Sequence, residues 1–240
     1  MAWGSSPVAS LAEALGQNGG TTAGTIDSSG ADTLFMVVGL QGGTPTVSDS
    51  KSNNWTQVVT VDNGFGAKNF LFRSDTPATV GSGHTFTATL NSGLVGIAVT
   101  AFAGGATSSI DDQNAGHGSV FASTIAPGSI TPTADNTIVI TGASASDSPT
   151  DPSSIDASFT IAAHVAAGAT NYGTGIAYLV QTTAAAANPT WTLSQSATHE
   201  VATIASFKAA AGGGGGAGGP ITLGGSLTHG ALIRGGRLAA

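Results

Sequence analysis

The sequence predicts an all-β protein: an antiparallel β-sandwich, jelly-roll-like or immunoglobulin-like, followed by a glycine-rich linker and a short extended C-terminal segment. Three observations predict this fold. Between residues 31 and 207, short apolar or β-branched runs alternate with clusters of Gly, Ser, Asn, Asp or Pro, which is typical of strands and turns. Charged residues make up only 8% of the chain, against about 25% in average soluble domains. The 36 glycines, with many Thr, Ser and Ala residues, favour turns and strands over long helices.

The predicted sandwich covers residues 26–209, and its short connections fit two packed antiparallel sheets. The predicted strands span residues 33–40, 55–61, 67–74, 85–90, 96–103, 129–130, 137–142, 158–165, 175–182, 190–194 and 202–207. The run from Leu34 to Val38 is apolar on both faces, which predicts a central strand covered on each side. Period-two alternation predicts these inward-facing side chains: Phe86, Ala88, Leu90, Trp191 and Leu193.

Residues 1–25 are predicted to form an N-terminal arm or edge strand. Apolar residues recur at helical spacing between positions 8 and 15, so a short helix is one alternative and an extended edge strand is the other. Residues 184–187 are either one helical turn or a small-residue loop, and Pro189 ends the segment in both cases.

A glycine-rich hinge is predicted at residues 210–219, because such a run cannot hold one backbone conformation. Residues 220–240 follow as a C-terminal attachment or oligomerisation segment. This segment carries two of the three arginines and no acidic residue, and it is too short to bury its spaced apolar residues alone. Such a segment is typical of a peptide that docks on another subunit, and the alternative is a solvated terminus. The predicted attachment residues are Leu223, Leu227, Leu232, Ile233, Arg234, Arg237 and Leu238.

Residue types that carry catalysis or metal binding are sparse and scattered. Cysteine is absent, which excludes disulfides, thiolate nucleophiles and cysteine-ligated zinc. The five histidines lack metal-ligand spacing, and no Gly-x-Ser-x-Gly elbow precedes a predicted helix. The two glutamates, Glu13 and Glu200, have no acidic neighbour in sequence that would pair with them for glycoside hydrolysis. We therefore predict no enzyme and no catalytic, cofactor-binding or metal-binding residue, although a Ser–His–Asp triad assembled by the fold stays open.

Two segments have an alternative interpretation as ligand sites. Residues 49–54 resemble the start of a calcium loop, but Lys51 occupies a would-be ligand position, which favours a polar hairpin turn leading into Trp55. Several aromatic residues offer a platform for a sugar ring, although strand aromatics are usually core. The aromatic candidates are Trp3, Trp55, Tyr172 and Trp191.

The charge pattern limits the partners. A net charge of −7, with no cluster of Lys or Arg, predicts no nucleic-acid binding. The first residues contain no Lys or Arg ahead of an apolar stretch, so they do not resemble a secretory signal. No apolar run approaches the ~20 residues of a membrane-spanning helix. We expect a protein made in the cytoplasm of its host, without membrane insertion.

Several segments, taken in order, are distinctive: residues 31–38 (ADTLFMVV), 47–50 (VSDS) with 54–56 (NWT), 102–105 (FAGG), 136–142 (NTIVITG) and 205–208 (ASFK). Together they resemble a β-sandwich module of tailed-phage and prophage virion proteins. The likeness covers residues 26–208, and the tail at 232–238 (LIRGGRL) resembles the Gly/Arg/Leu-rich ends of phage structural proteins.

The resemblance implies a place on the bacteriophage virion, as a capsid decoration or head-fibre protein or as a tail-fibre or other tail appendage. The implied partners are other virion proteins, of capsid or tail, and sister subunits in a homo-oligomer. It implies no catalytic residue. A module that recognises a carbohydrate receptor, such as a glycan on the host surface, is the alternative.

Overall fold

The computed structural model describes residues 2–17, 19–105, 110–118, 121–146, 150–165 and 172–210, and these residues form strands and connections without a helix. The all-β prediction is therefore confirmed. No helix in the described ranges is long and apolar enough to span a membrane. The strands are β1 (Ala9–Gln17), β2 (Thr21–Ile26), β3 (Thr33–Gln41), β4 (Thr46–Asp49), β5 (Thr56–Asp62), β6 (Ala67–Asp75), β7 (His84–Thr89), β8 (Leu94–Phe102), β9 (Ile110–His117), β10 (Ala122–Ile125), β11 (Thr137–Ser146), β12 (Pro152–Ile155), β13 (Thr160–Val165), β14 (Tyr172–Gln181), β15 (Trp191–Ala197) and β16 (His199–Lys208).

The strands form antiparallel sheets in one pattern that occurs twice. The first half contains a five-stranded sheet in the order β1-β8-β3-β6-β5 and a three-stranded sheet in the order β2-β7-β4. The second half contains the orders β9-β16-β11-β14-β13 and β10-β15-β12, which are the same orders shifted by eight strands. In the first half, β1 pairs with β8, β2 with β7 and β3 with β6. This nested pairing is that of a jelly roll, an eight-stranded double sheet.

The two five-stranded sheets pack face to face in the middle of the molecule. β3 lies against β11, β8 against β14 and β6 against β16, and the edge strand β1 lies against β13 and β5 against β9. Equivalent strands are therefore arranged in opposite order across the two sheets, whereas β3 and its equivalent β11 both start at the same end of the molecule. This arrangement means that the two halves are related by an approximate twofold axis parallel to the strands. The strand pattern predicts two packed sheets, whereas the described residues form four layers.

The described residues of the four layers form three large apolar cores and one small cluster of Val61, Ala67 and Val201. β3 alternates between two of them, since Leu34, Met36 and Val38 face the first three-stranded sheet and Phe35 and Val37 face the other half. The prediction that this segment is a central strand covered on both sides is confirmed. The side chains predicted to face inward, at positions 86, 88, 90, 191 and 193, are all buried.

The N-terminal residues settle an open alternative. Residues 9–17 form an edge strand that pairs with β8, not a helix. A helix this short is only marginally stable in water. Pairing with β8 instead gives the backbone of residues 9–17 hydrogen-bond partners along the sheet. Residues 184–187 form a loop with a single bridge between Ile130 and Ala187, so the helical-turn alternative is wrong there.

A buried polar cluster lies at the centre of the packing between the five-stranded sheets. Asn69 of β6 donates from Nδ2 to Ser144 Oγ at 2.7 Å, and Thr203 donates from Oγ1 to Asn69 Oδ1 at 2.6 Å. The hydroxyls of Ser144 and Thr174 lie 2.6 Å apart. All four side chains are fully buried. Because a buried polar group is costly without its partner, the cluster fixes the register of one sheet on the other.

The cluster fits only because Gly39 on β3 carries no side chain. A Cβ at this position would overlap the hydroxyls of Thr174 and Ser144 and would lie 2.7 Å from the Tyr172 hydroxyl. Gly39→Ala should therefore lower the free energy of unfolding by about 1–3 kcal/mol, as over-packing of a core does, measured by urea denaturation. The control is Gly4→Ala, whose added methyl would lie 3.3 Å from the Ser6 carbonyl oxygen and should cost less stability, because a shift of a few tenths of an ångström relieves that contact. Equal effects of the two variants would contradict the proposed fit.

Candidate functional site

The chain enters and leaves the described body at one end, which we name the tail end and define by residues 2–5, 103–105 and 208–210. The Trp3 indole donates to the Phe207 carbonyl at 3.1 Å. The Ala210 amide donates to the Gly104 carbonyl at 3.3 Å. The segment that follows residue 210 therefore starts beside the N-terminal arm.

An aromatic cluster holds the tail end together. Phe35 lies between Phe102 and Phe207, with ring centroids 6.4 Å and 4.9 Å away. Trp3 contacts this group from the N-terminal arm, 6.2 Å from Phe35, and Tyr178 contacts Phe102 at 5.0 Å. These rings join strands of both halves, so the entry and exit of the chain are anchored in the central core.

The aromatic residues predicted as sugar-platform candidates lie in the core. Trp3, Tyr172 and Trp191 are buried, and the Trp191 indole donates to the Thr141 hydroxyl at 3.1 Å. Trp55 is partly buried and lies 6.1 Å from the Phe86 ring. The general expectation that strand aromatics are core is confirmed, and these four side chains offer no open platform.

The fold brings one serine, one histidine and one aspartate together near the tail end of the first three-stranded sheet. Ser28 Oγ lies 2.8 Å from His84 Nδ1, and His84 Nε2 lies 3.2 Å from the Asp49 carboxylate. No local sequence motif contains this set, because Ser28 follows β2, Asp49 ends β4 and His84 begins β7. It is the triad that the sequence leaves open, so its geometry decides what it does.

The geometry of this Ser28–His84–Asp49 cluster suits a structural clamp better than a nucleophile. All three side chains are fully buried, so no substrate reaches the serine. The Ser28 hydroxyl also accepts from the Gly81 amide at 3.0 Å, which fastens the serine to a neighbouring connection. Burial lowers the pKa of His84, and the nearby Asp49 offsets this only in part. The cluster ties the connection after β2 to the end of β4 and the start of β7.

Asp49 also organises the turn at residues 49–54. Its Oδ1 accepts from the Lys51 amide at 2.8 Å and the Asn53 amide at 3.3 Å, and its Oδ2 accepts from the Trp55 indole at 2.7 Å. A carboxylate that is filled with N–H donors has no oxygen free for a cation. The polar turn leading into Trp55 is confirmed, but it is not a hairpin, because β4 and β5 belong to different sheets.

The opposite end of the body, which we name the distal end, is defined by the β5–β6 turn (residues 62–67) and the start of β16. Here Glu200 is buried, and neither of its carboxylate oxygens accepts a hydrogen bond from the described residues. The group is packed so tightly against Gly118 that a Cβ there would overlap it. Burial raises the pKa of Glu200 to about 7, which its own backbone amide and the imidazoles of His199 and His117 only partly offset.

Two exposed aromatic residues flank Glu200 at the distal end. Phe65 is 77% exposed at the tip of the β5–β6 turn and stacks on His199, with centroids 5.8 Å apart. Phe121 is 72% exposed and directly precedes β10, whose Ala122 pairs with Ala197 just before β16. Sequence reasoning missed both residues, because each lies in a glycine- or serine-rich turn rather than in a patterned strand.

The seven predicted attachment residues lie outside the described residues, as do the rest of the segment 220–240 and the hinge beyond residue 210. Within the described ranges, no group of three His, Asp or Glu side chains could hold a metal ion.

Comparisons with protein families, with curated proteins and with solved structures gave no match. The antiparallel β-sandwich that the phage resemblance implies is confirmed by the fold. The virion role that it also implies stays a prediction.

Glu200 gives the protein a specific pH dependence. Below its ordinary value of 4.5 the carboxyl is protonated in both folded and unfolded states, and as the pH rises through about 7 the folded state must bury a charge. Stability should therefore fall with rising pH, and the neutral variant Glu200→Gln should escape this loss. Between pH 5 and pH 8 the variant should gain on the order of 1–3 kcal/mol in unfolding free energy relative to the unmodified protein.

The measurement is urea denaturation of both proteins at pH 5, 6.5 and 8, because the difference between them cancels other titrations. The control is Asp27→Asn: hydrogen bonds to Ser29 lower the pKa of this exposed carboxyl, so its effect should not change over this range. A constant difference for Glu200→Gln would contradict the assignment.

Proposed function

We propose that the protein is a non-enzymatic structural component of a tailed-phage virion, a capsid decoration or head-fibre protein or a tail appendage, held on the particle by residues 220–240. One observation carries the proposal: residues 2–4 and 208–210 lie together at one end of the body. A body tethered at a single end projects its other end outward. That is the geometry expected of a decoration or appendage.

The charge distribution supports attachment through the tail. Residues 1–210 contain all 13 acidic residues and four of the six basic residues, so their net charge is 4 − 13 = −9. Residues 211–240 contain the other two basic residues and carry a net charge of +2. A basic, leucine-bearing segment on an acidic body is suited to an acidic or apolar groove of a capsid or tail protein or of a sister subunit. The site of action would be the virion, after synthesis in the host cytoplasm.

The structural use of the polar side chains supports a role without catalysis. The Ser28–His84–Asp49 cluster is buried, and the Asp49 carboxylate is filled with backbone and indole donors. The segment resemblance to phage virion modules supplies the specific setting of the proposal. Partners would be other virion proteins and further copies of this chain.

Removal of the tail tests the proposal. A chain ending at Ala209 should fold but should be lost from purified particles of the phage that encodes it, by at least about tenfold relative to the full chain. The readout is quantitative immunoblotting of particles, with imaging to locate the protein. The double variant Arg234→Ala/Arg237→Ala should weaken association, and the matched control Thr222→Ala/Thr228→Ala should not. Full retention of the shortened chain would contradict attachment through the tail.

Phe65 and Phe121 favour one second candidate function, recognition of a glycan on the host surface. Exposed aromatic faces stack on the apolar faces of sugar rings. Both phenylalanines lie at the distal end, which a tethered body would present to the host. Virion attachment and glycan recognition are compatible, since they use opposite ends.

Glycan-array binding of the full chain tests this second function. If it is correct, binding should be reproducible and should fall about two- to tenfold in Phe65→Ala, since one stacked ring contributes about 0.5–1.5 kcal/mol. The control is Val8→Ala, because Val8 is an exposed apolar residue, 41% accessible, near the tail end. Silence on the array, or equal loss in both variants, would contradict glycan recognition by the distal end.

A further inference from the structure

An apolar groove lies at the tail end, beside the last residues of β14. It is lined by three residues at the end of β14, Tyr178, Leu179 and Val180, and by four hydroxyl-bearing residues, Ser5, Ser158, Thr160 and Thr182. Its volume is about 290 Å³. The three β14 residues are only partly buried.

The groove exists because β13 stops short of the end of β14. β13 begins at Thr160, which pairs with Tyr178. Leu179, Val180 and Gln181 pair with β11 on one side, and no described strand pairs with them on the other. The chain before Thr160 turns away, since Ala157 and Ser158 adopt left-handed φ angles of 53° and 64°. An open strand edge with apolar side chains is a template for an added strand.

The approximate twofold axis provides an internal comparison. In the first half, the first residue of β5, Thr56, pairs with Arg73, just as the first residue of β13, Thr160, pairs with Tyr178. Arg73 and Tyr178 are therefore equivalent positions, and on the central strands they pair with Phe35 and Ile140. The same uncovered strand end there carries Arg73 and Asp75, which form an ion pair. At this uncovered strand end the first half therefore carries a pair of charged side chains, whereas the second half carries the uncharged side chains of Tyr178 and Val180.

The groove is within reach of the tail. β14 and β16 flank β11 in one sheet, so the end of β16 lies about two strand spacings, ~10 Å, from β14. Residues 211–219 are nearly all glycine, and such a linker of nine residues spans roughly 15–18 Å on average. A segment tethered this close has an effective concentration in the millimolar range, which favours the chain's own tail over a second copy.

We propose that residues 220–223 of the same chain (PITL) occupy this groove as a short strand antiparallel to β14. In an extended backbone, Ile221 and Leu223 project to one face of the sheet and Thr222 to the other, so the apolar pair lies on the face of Tyr178 and Val180, which pack against the central core. Pro220, which has no N–H, lies at the start of the strand, where proline is tolerated. The inference rests on the proposed function, because it assigns the root of the attachment segment to the body and leaves residues 227–238 for the particle.

Disulfide trapping in the full chain tests the proposal, and the absence of cysteine makes it selective. Val180→Cys/Leu223→Cys should form an intrachain disulfide under mild oxidation, since the bond requires Cβ atoms within about 4.5 Å. It should form at least about tenfold faster than in two controls. One control, Val180→Cys/Thr222→Cys, places the tail thiol on the far side of the strand. The other, Asp75→Cys/Leu223→Cys, uses the equivalent position of the first half.

The readouts are intact mass, thiol titration and migration on a non-reducing gel, with thermal midpoints to verify that each variant is folded. Equal rates in all three variants would overturn the proposal, because they indicate a tail without a preferred site. A disulfide-linked dimer would also overturn it, in favour of the tail of a second copy. If a cysteine variant does not fold, hydrogen exchange of the unmodified chain replaces the trapping experiment. The amides of residues 179 and 181 should then exchange slowly, and this protection should be lost in Ile221→Ser/Leu223→Ser.

The trapping experiment is independent of particle attachment. A chain whose tail is not trapped, but which still needs residues 210–240 to join particles, would fail this inference and leave the proposed function standing. If the tail is trapped but the protein joins particles without residues 210–240, this inference would stand and attachment through the tail would be contradicted.

Discussion

The structure depends on the face-to-face packing of the two five-stranded sheets around one buried polar cluster. Apolar packing alone would allow these flat faces to slide, because apolar contacts have little directionality. The hydrogen bonds among Asn69, Ser144, Thr174 and Thr203 allow one register only, and Gly39 provides their space. Every shift of one sheet would leave buried polar groups without partners. The two halves are thereby held as one body.

The direction of the approximate twofold axis determines which functions each end can serve. Because the axis runs parallel to the strands, the equivalent connections of both halves gather at the same end rather than on opposite faces. The aromatic cluster around Phe35 then fixes the N-terminal arm and the exit of β16 side by side. A departure from the symmetry marks a candidate for function: the groove at Val180 is apolar, whereas the equivalent position in the first half is the charged Asp75.

The polar residues that resemble a catalytic set act mainly on folding. Ser28 lies in the connection between β2 and β3, whereas Asp49 ends β4 and His84 begins β7, so the cluster fastens this connection to two strands of the first three-stranded sheet. Glu200 differs, since its carboxyl group is buried without such partners among the described residues. Because burial raises its pKa to about 7, it is the group through which we expect pH to act on the distal end.

The sequence by itself determined the class of fold, the central place of β3 and the inward faces of β7 and β15, because strand periodicity and burial on both faces are local properties of a pattern. It also identified the turn at Asp49 and the chemistry of the tail. Only the tertiary structure decided that β1 is a strand, that the layers number four, and that Ser28 meets His84. Those outcomes depend on contacts between residues far apart in the chain, such as Asn69 with Thr203. A pattern of single residues contains no information on which distant partner fills a given space.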